Sequence, residues 1–295
     1  MGRAVRDRGA VPEDRLVRVL VTGATGFIGR HVVARLLERG HDVIAAARVL
    51  SRVQEMPWSE KVRFLECDVH GPHGALDFAS LQLDALIHLA WPGLPNYADL
   101  FHVEENFPAA LHFLTEAVCA GIPHVMVAGT CLEYGMQYGP LREDQATRPT
   151  TPYGLAKDTL RKSLEHLQQR RDFTFQWIRL FYMYGLGQNP KSLLAQLDQA
   201  IDAGQAVFRM SKGEQLRDYL PIETIAAAFG RLLDHPDCQG VINCCSGEPI
   251  SVRELVEARC RERGSSIELE RGFYPYPSYE PLAFWGVAGK LRALG

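Results

Sequence analysis

The sequence predicts a doubly wound, parallel α/β sheet followed by a smaller C-terminal α+β lobe. Two observations predict it. The first half of the chain alternates short apolar runs with stretches of helical periodicity, the pattern of β-α units laid side by side. The first of those units joins its strand to its helix through Gly23-Ala24-Thr25-Gly26-Phe27-Ile28-Gly29, a glycine-rich turn at a strand-to-helix junction.

Taken in order, the apolar runs predict strands over 17–22, 42–47, 62–67, 85–89, 123–128 and 175–183. Helical spacing predicts helices over 27–39, where Gly40 supplies the stop, over 107–120 and over 152–170. Past Gly185 the pattern loosens. Helices are expected over 192–203, 224–233 and 251–263, with a short strand over 240–244. Ser251, with Glu254 three residues later, reads as a capping box. The Tyr- and Pro-rich stretch 273–281 suits no regular element. The expected layout is a loose tail over 1–16, a first domain over 17–185 with returning segments near 217–247, and a lobe built from 186–216 and 248–295.

Composition narrows the class. The chain has 295 residues, 46% hydrophobic and 23% charged, with a net charge of −3. That balance disfavours nucleic acid as a partner. No apolar run approaches membrane-spanning length, and the Arg-rich start lacks the apolar core of a secretory signal. Seven cysteines without a C-x-x-C pair favour free thiols in a reducing cytoplasm over zinc, and no metal site is expected. His70 and His73 flank a Gly-Pro turn and read as solvated.

The glycine turn is the strongest chemical signal. Glycines let backbone approach a bulky anion, and the helix behind them offers free N–H groups and the positive end of a dipole. A dinucleotide pyrophosphate fits; a glycine turn that binds nothing is the bland alternative. The second strand ends Ala45-Ala46-Ala47-Arg48, without the acid that usually holds a ribose 2′-OH in NAD binders. Arg48 suits a 2′-phosphate, which favours NADP(H) over NAD(H), unless it is only a solvated loop charge. Asp68 either meets the adenine edge or serves a turn.

Tyr153 and Lys157 lie four apart at the start of a predicted helix and so share a face. A neighbouring ammonium is expected to lower the Tyr153 pKa and make it a general acid or base for a carbonyl/alcohol pair. Thr130, after the fifth predicted strand, is placed to bond the same oxygen. A chance Tyr-Lys pair and a turn-capping Thr are the plain alternatives.

Together these residues resemble the extended short-chain dehydrogenase/reductases of the nucleotide-sugar epimerase/dehydratase branch, over nearly the whole chain. Thr22 to Gly29 resembles that family's cofactor turn, and His88-Leu89-Ala90 the segment after its fourth strand. Asn106 sits where the family has a structural Asn. Thr130, Tyr153 and Lys157 match its Ser/Thr-Tyr-Lys set. Arg217-Asp218-Tyr219 resembles the segment whose Arg binds the nucleotide diphosphate, and Asn243-Cys244-Cys245-Ser246-Gly247 its return strand.

The resemblance implies a Rossmann domain, a substrate lobe, and catalysis by Thr130, Tyr153 and Lys157. Implied cofactor contacts are Gly23, Thr25, Gly26, Phe27, Ile28, Gly29, Arg48, Asp68, Val69, Leu89, Ala90, Asn106, Tyr153 and Lys157. Implied substrate contacts are Cys131, Glu133, Tyr182 and Arg217. A homodimer through the helices over 107–120 and 152–170 is also implied.

Departures narrow the reaction. The Asp-Glu pair that 4,6-dehydratases of this family carry after the Thr is replaced by Cys131 and Leu132, which disfavours dehydration. The family's substrate-binding Asn after the sixth strand is replaced by Tyr182. The reading is an NADPH-dependent ketoreductase acting at C4 of a nucleotide-activated 4-keto-6-deoxyhexose, with dTDP favoured. A 4-epimerase with tightly bound NAD, and a non-catalytic NADP sensor, are the alternatives.

Overall fold

The computed structural model describes residues 16–71 and 76–295. The tail expected over 1–16 lies, apart from Leu16, outside the described residues, as does His73. Seven parallel strands make the central sheet: β1 (Arg18–Thr22), β2 (Asp42–Ala47), β3 (Arg63–Glu66), β4 (Ala85–His88), β5 (His124–Thr130), β6 (Thr174–Leu180) and β7 (Gly240–Cys244). Their order is β7-β6-β5-β4-β1-β2-β3. The chain runs outward from β1 through β2 to β3, then returns to place β4 on the other side of β1. That reversal opens a crevice beyond the carboxyl ends of β1 and β4, where ligands of doubly wound sheets bind.

The strands are apolar on both faces because both faces are covered. On one side Val19, Val21, Val43 and Ala45 pack against Val32 and Leu36 of α1 (Phe27–Glu38), together with Ile225 and Phe229 from a helix over Ile222–Asp234. On the other, Leu20, Ile44, Leu86 and Val125 pack against Phe113 and Leu114 of α2 (Phe107–Cys119) and Leu160 and Leu164 of α3 (Pro152–Gln168). Alternate residues of one strand thus serve opposite cores.

A separate apolar cluster joins Leu194 and Leu197 of the helix Leu193–Asp202 to Leu255 and Val256 of the helix Val252–Glu262. Strands Val207–Met210 and Glu268–Arg271 pair beside it. This is the smaller lobe. Its last helix begins with the expected capping box: Ser251 accepts from the Glu254 N–H, and Glu254 accepts from that of Ser251.

One expected strand is divided. The run read as 175–183 ends at Leu180, and Tyr182–Tyr184 pairs instead with Tyr219–Pro221. The backbone leaves the main sheet at Phe181, whose side chain is buried with Cys131, Tyr134 and Phe284. All seven cysteines are free thiols. Among the described residues no helix is long and apolar enough to cross a membrane.

Candidate active site

A cavity of about 970 Å³ occupies the crevice. Its cofactor-like end is walled by Gly23, Thr25, Gly26, Phe27, Ile28, Gly29, Arg48, Asp68, Val69, Leu89 and Ala90, and the far end by Thr130, Cys131, Leu132, Tyr153, Tyr182 and Glu280. The glycines have distinct reasons. Gly23 adopts φ +67°, and a Cβ there would lie 2.9 Å from the Ala90 nitrogen. At Gly29 a Cβ would lie 2.1 Å from the Gly23 carbonyl oxygen, so strand and helix meet this closely only through glycine. Gly26 is less crowded: a Cβ there would press on the Gly23 oxygen at 3.1 Å, and it lines the cavity. A cradle that a Cβ would begin to fill, ahead of the α1 N-terminus, fits a dinucleotide pyrophosphate.

Arg48, just beyond β2, is exposed and has no hydrogen bond or ion pair among the described residues; Arg52 lines the cavity nearby. Ala47, the last residue of β2, also lines the cavity. The Asp68 carboxylate accepts from the His70 backbone N–H at 3.1 Å, so it serves its turn as well as lining the cavity.

At the other end the three catalytic candidates come together. Thr130 ends β5, and its hydroxyl accepts from the Leu132 N–H at 3.2 Å. Tyr153 lines the same part of the cavity as Thr130, and Thr130 is near enough to act against the rise in the Tyr153 pKa. Tyr153 sits at the start of α3, where Thr151 caps the helix by accepting from the Gly154 N–H at 3.1 Å and Pro152 takes the first helical position. Lys157, one turn on, donates to the Ala128 carbonyl at 2.9 Å.

Four sequence expectations are corrected by this geometry. Tyr153 is held well above the ordinary phenol range, not below it, because burial outweighs the opposing influence of Thr130. Lys157 is only 2% exposed and is absent from the cavity wall; burial pushes its amine down to about 7. Glu133 does not line this cavity. It is fully buried, accepts from the Thr130 N–H and Trp177 Nε1 at 2.8 Å each, and pairs with Arg179 at 2.7 Å. Asn106 is likewise a brace, donating to the Pro92 carbonyl and bonding His70 at 2.8 Å.

Arg217 is not free to meet a diphosphate. It is 3% exposed, pairs with Glu280 at 3.0 Å, and lies over the Phe284 ring. Tyr182 donates its hydroxyl to the same Glu280 carboxylate, and burial raises its pKa further. Glu280 was invisible in the sequence because it lies in the Tyr-Pro stretch, without local periodicity. Trp91, which reads as a packing aromatic in the sequence, covers Lys157 with its ring at 3.8 Å.

A parallel sheet with a glycine turn at its switch point and a Thr-Tyr-Lys set at its strand ends defines an extended short-chain dehydrogenase/reductase. The family model described as "NAD dependent epimerase/dehydratase family" matches residues 19–245, and the chain belongs to that family. Among curated relatives, a dTDP-6-deoxy-L-talose 4-dehydrogenase (NAD(+)) from Aggregatibacter actinomycetemcomitans is 29% identical over 92% of this chain and 99% of its own length. A UDP-glucose 4-epimerase from Halalkalibacterium halodurans is 28% identical, covering 83% of this chain and 79% of that protein. Among solved structures, MoeE5 in complex with UDP-glucuronic acid and NAD superposes with a TM-score of 0.78 at 26% identity, covering 94% of this chain and 92% of the other.

Proposed function

We propose that this protein is an NADP(H)-dependent oxidoreductase that reduces the C4 keto group of a nucleotide-activated 6-deoxyhexose, with a dTDP sugar as the first choice. The observation that carries the proposal is that Thr130 and Tyr153 share the wall of a cavity whose other end is a glycine cradle. The name of the talose dehydrogenase relative supports C4 redox chemistry on a dTDP-6-deoxy sugar. Ala47, Arg48 and Arg52 support NADP(H), although the family description, the talose dehydrogenase relative and the MoeE5 complex all name NAD.

The turn from Gly23 to Gly29 and the start of α1 would hold the pyrophosphate, and Arg48 the 2′-phosphate. When bound, the nicotinamide supplies reducing equivalents to the keto carbon. Thr130 and Tyr153 present two hydroxyls to the carbonyl oxygen, which polarises it. The raised Tyr153 pKa keeps the phenol protonated in the resting site, so it is ready to donate when negative charge develops on that oxygen. The Lys157 ammonium, one helical turn away, favours the phenolate left behind. At the sugar end, Cys131, Tyr182 and Glu280 would face the substrate. A diphosphate role for Arg217 requires it to exchange Glu280 for the phosphates. We further infer a homodimer through α2 and α3 and a cytoplasmic location, as the family resemblance and the free thiols suggest.

A 4-epimerase reading is favoured by the UDP-glucose 4-epimerase relative and would use the same three residues. The two readings separate on the purified protein. Consumption of added NADPH by an NDP-4-keto-6-deoxy sugar, with one new C4 stereocentre by NMR, supports the reductase. Stoichiometric NAD released on denaturation, with interconversion of C4 epimers and no net cofactor consumption, overturns it in favour of the epimerase.

A further inference from the structure

Lys157 is enclosed on the cavity side by an aromatic side chain that the chemistry above leaves without a role. The Lys157 Nζ lies 3.8 Å from the centre of the Trp91 ring, while its hydrogen bond goes to the Ala128 carbonyl behind it. Trp91 lines the cavity; Lys157 does not. The indole thus touches both the ammonium and the cavity. The same ring stands edge-on to Tyr153, at 6.0 Å between centroids.

The indole is held in place from behind. Its Nε1–H donates to His102 Nδ1 at 3.1 Å, and the two rings stack with 18° between their planes. The His102 Nε2 faces the Asn96 carbonyl at 3.0 Å, which assigns the proton to that nitrogen and leaves Nδ1 to accept. Asn106 Nδ2 reaches the same Nδ1 at 3.1 Å and also donates to the Pro92 carbonyl at 3.0 Å, anchoring the 91–97 loop. Burial lowers the His102 pKa, which keeps that acceptor nitrogen free of a proton. A packing tryptophan has no need of a fixed ring nitrogen and a cation on its face.

We propose that Trp91 is a positioning residue for Lys157: its indole face holds the ammonium, and its bond to His102 fixes that face. The other ionisable groups around Lys157 are Glu133 on the turn after β5, His88 at the end of β4, His102, and Tyr153 on its own helix. His88 is kept neutral by burial, with its pKa pushed down to about 3, and Glu133 is already paired with Arg179. Trp91 is the aromatic face over the ammonium, so removing it removes a contact that favours the charged form.

The test follows the six lysines of the 295-residue chain by NMR with carbon label at Cε, the Lys157 signal being assigned by its loss in Lys157→Met. Replacing Trp91 by Leu should lower the Lys157 titration midpoint by about one pH unit, and Trp91→Phe, which keeps a weaker face, by about half as much. This part rests on no assumed substrate. The second part rests on the reductase reading: because the charged amine is required, the deficit in kcat of Trp91→Leu should grow from about twofold near pH 6 to about tenfold near pH 8. A Lys157 midpoint that is unmoved or raised in Trp91→Phe, the smaller change in packing, overturns the proposal, whether or not Trp91→Leu folds. A deficit equal at every pH also overturns it. A wild-type protein inactive on every keto-sugar nucleotide overturns the functional reading alone, and the lysine titration then decides the Trp91 assignment.

Discussion

Lys157→Met should make the protein more stable near neutrality while abolishing its proposed chemistry. Burial holds the Lys157 amine at about 7 in the folded protein, against 10.5 for an ordinary lysine. Between those values the unfolded chain carries a proton that the folded one lacks, so stability rises with pH. The contribution is complete above the unfolded value and is lost as pH falls towards about 7. One proton of difference corresponds to about 1.4 kcal/mol per pH unit, and the whole span to roughly 4–5 kcal/mol. Methionine fills similar space without titrating, and loss of the bond to Ala128 subtracts about 1 kcal/mol at every pH. The assay is urea unfolding of both proteins at unit intervals from about pH 6 to about pH 9, extrapolated to water. Groups common to both chains cancel in the difference. Wild type should gain on the variant by about 1.4 kcal/mol per unit above about pH 8, with the variant ahead near neutrality. A difference that stays flat from about pH 7 to about pH 9 would refute the buried, titrating lysine.

Glu133→Gln should destabilise the fold by about 3–5 kcal/mol in urea unfolding, because it strips the Arg179 guanidinium of its buried partner. A loss below about 1 kcal/mol would show that the pair is not a closed one. Arg48→Ser should weaken NADP(H) binding about 10- to 100-fold by calorimetry while changing NAD(H) binding less than about threefold. Equal weakening of both would remove Arg48 from the 2′-phosphate. Gly26→Ala should cost no more than about 1–2 kcal/mol of stability, since a Cβ there presses only on the Gly23 oxygen at 3.1 Å, yet weaken dinucleotide binding at least about tenfold. Unchanged affinity would place the pyrophosphate elsewhere.

The doubly wound core was legible because its signals are local. The strand over Asp42–Ala47 and the one over Gly240–Cys244 were read to the residue, since continuous apolar runs report burial on both sheet faces. Glycines 23 and 29 declared the turn, because their reason is steric and falls within a few residues. What the sequence hid depends on distant partners. The bend at Phe181 is set by a cluster that includes Phe284, about a hundred residues away. Glu280 reaches Tyr182 and Arg217 only after the C-terminal segment folds back, and this turned an expected free arginine into a paired one. Four-residue spacing reports the proximity of Tyr153 to Lys157 but not burial, and burial dominates the Tyr153 pKa. Trp91 looked like packing because its partner Lys157 lies sixty-six residues on.

The central claim is that Tyr153 protonates a carbonyl oxygen in a nicotinamide-dependent reduction. It is tested most directly by mixing wild type and Tyr153→Phe with NADPH and a dTDP-4-keto-6-deoxyhexose and following the loss of the reduced nicotinamide. Wild type should consume NADPH in step with keto sugar, and Tyr153→Phe should lose about 10²–10⁴-fold in kcat with NADPH affinity preserved. Equal turnover by the two proteins, or no turnover of any keto-sugar nucleotide by wild type, would contradict it.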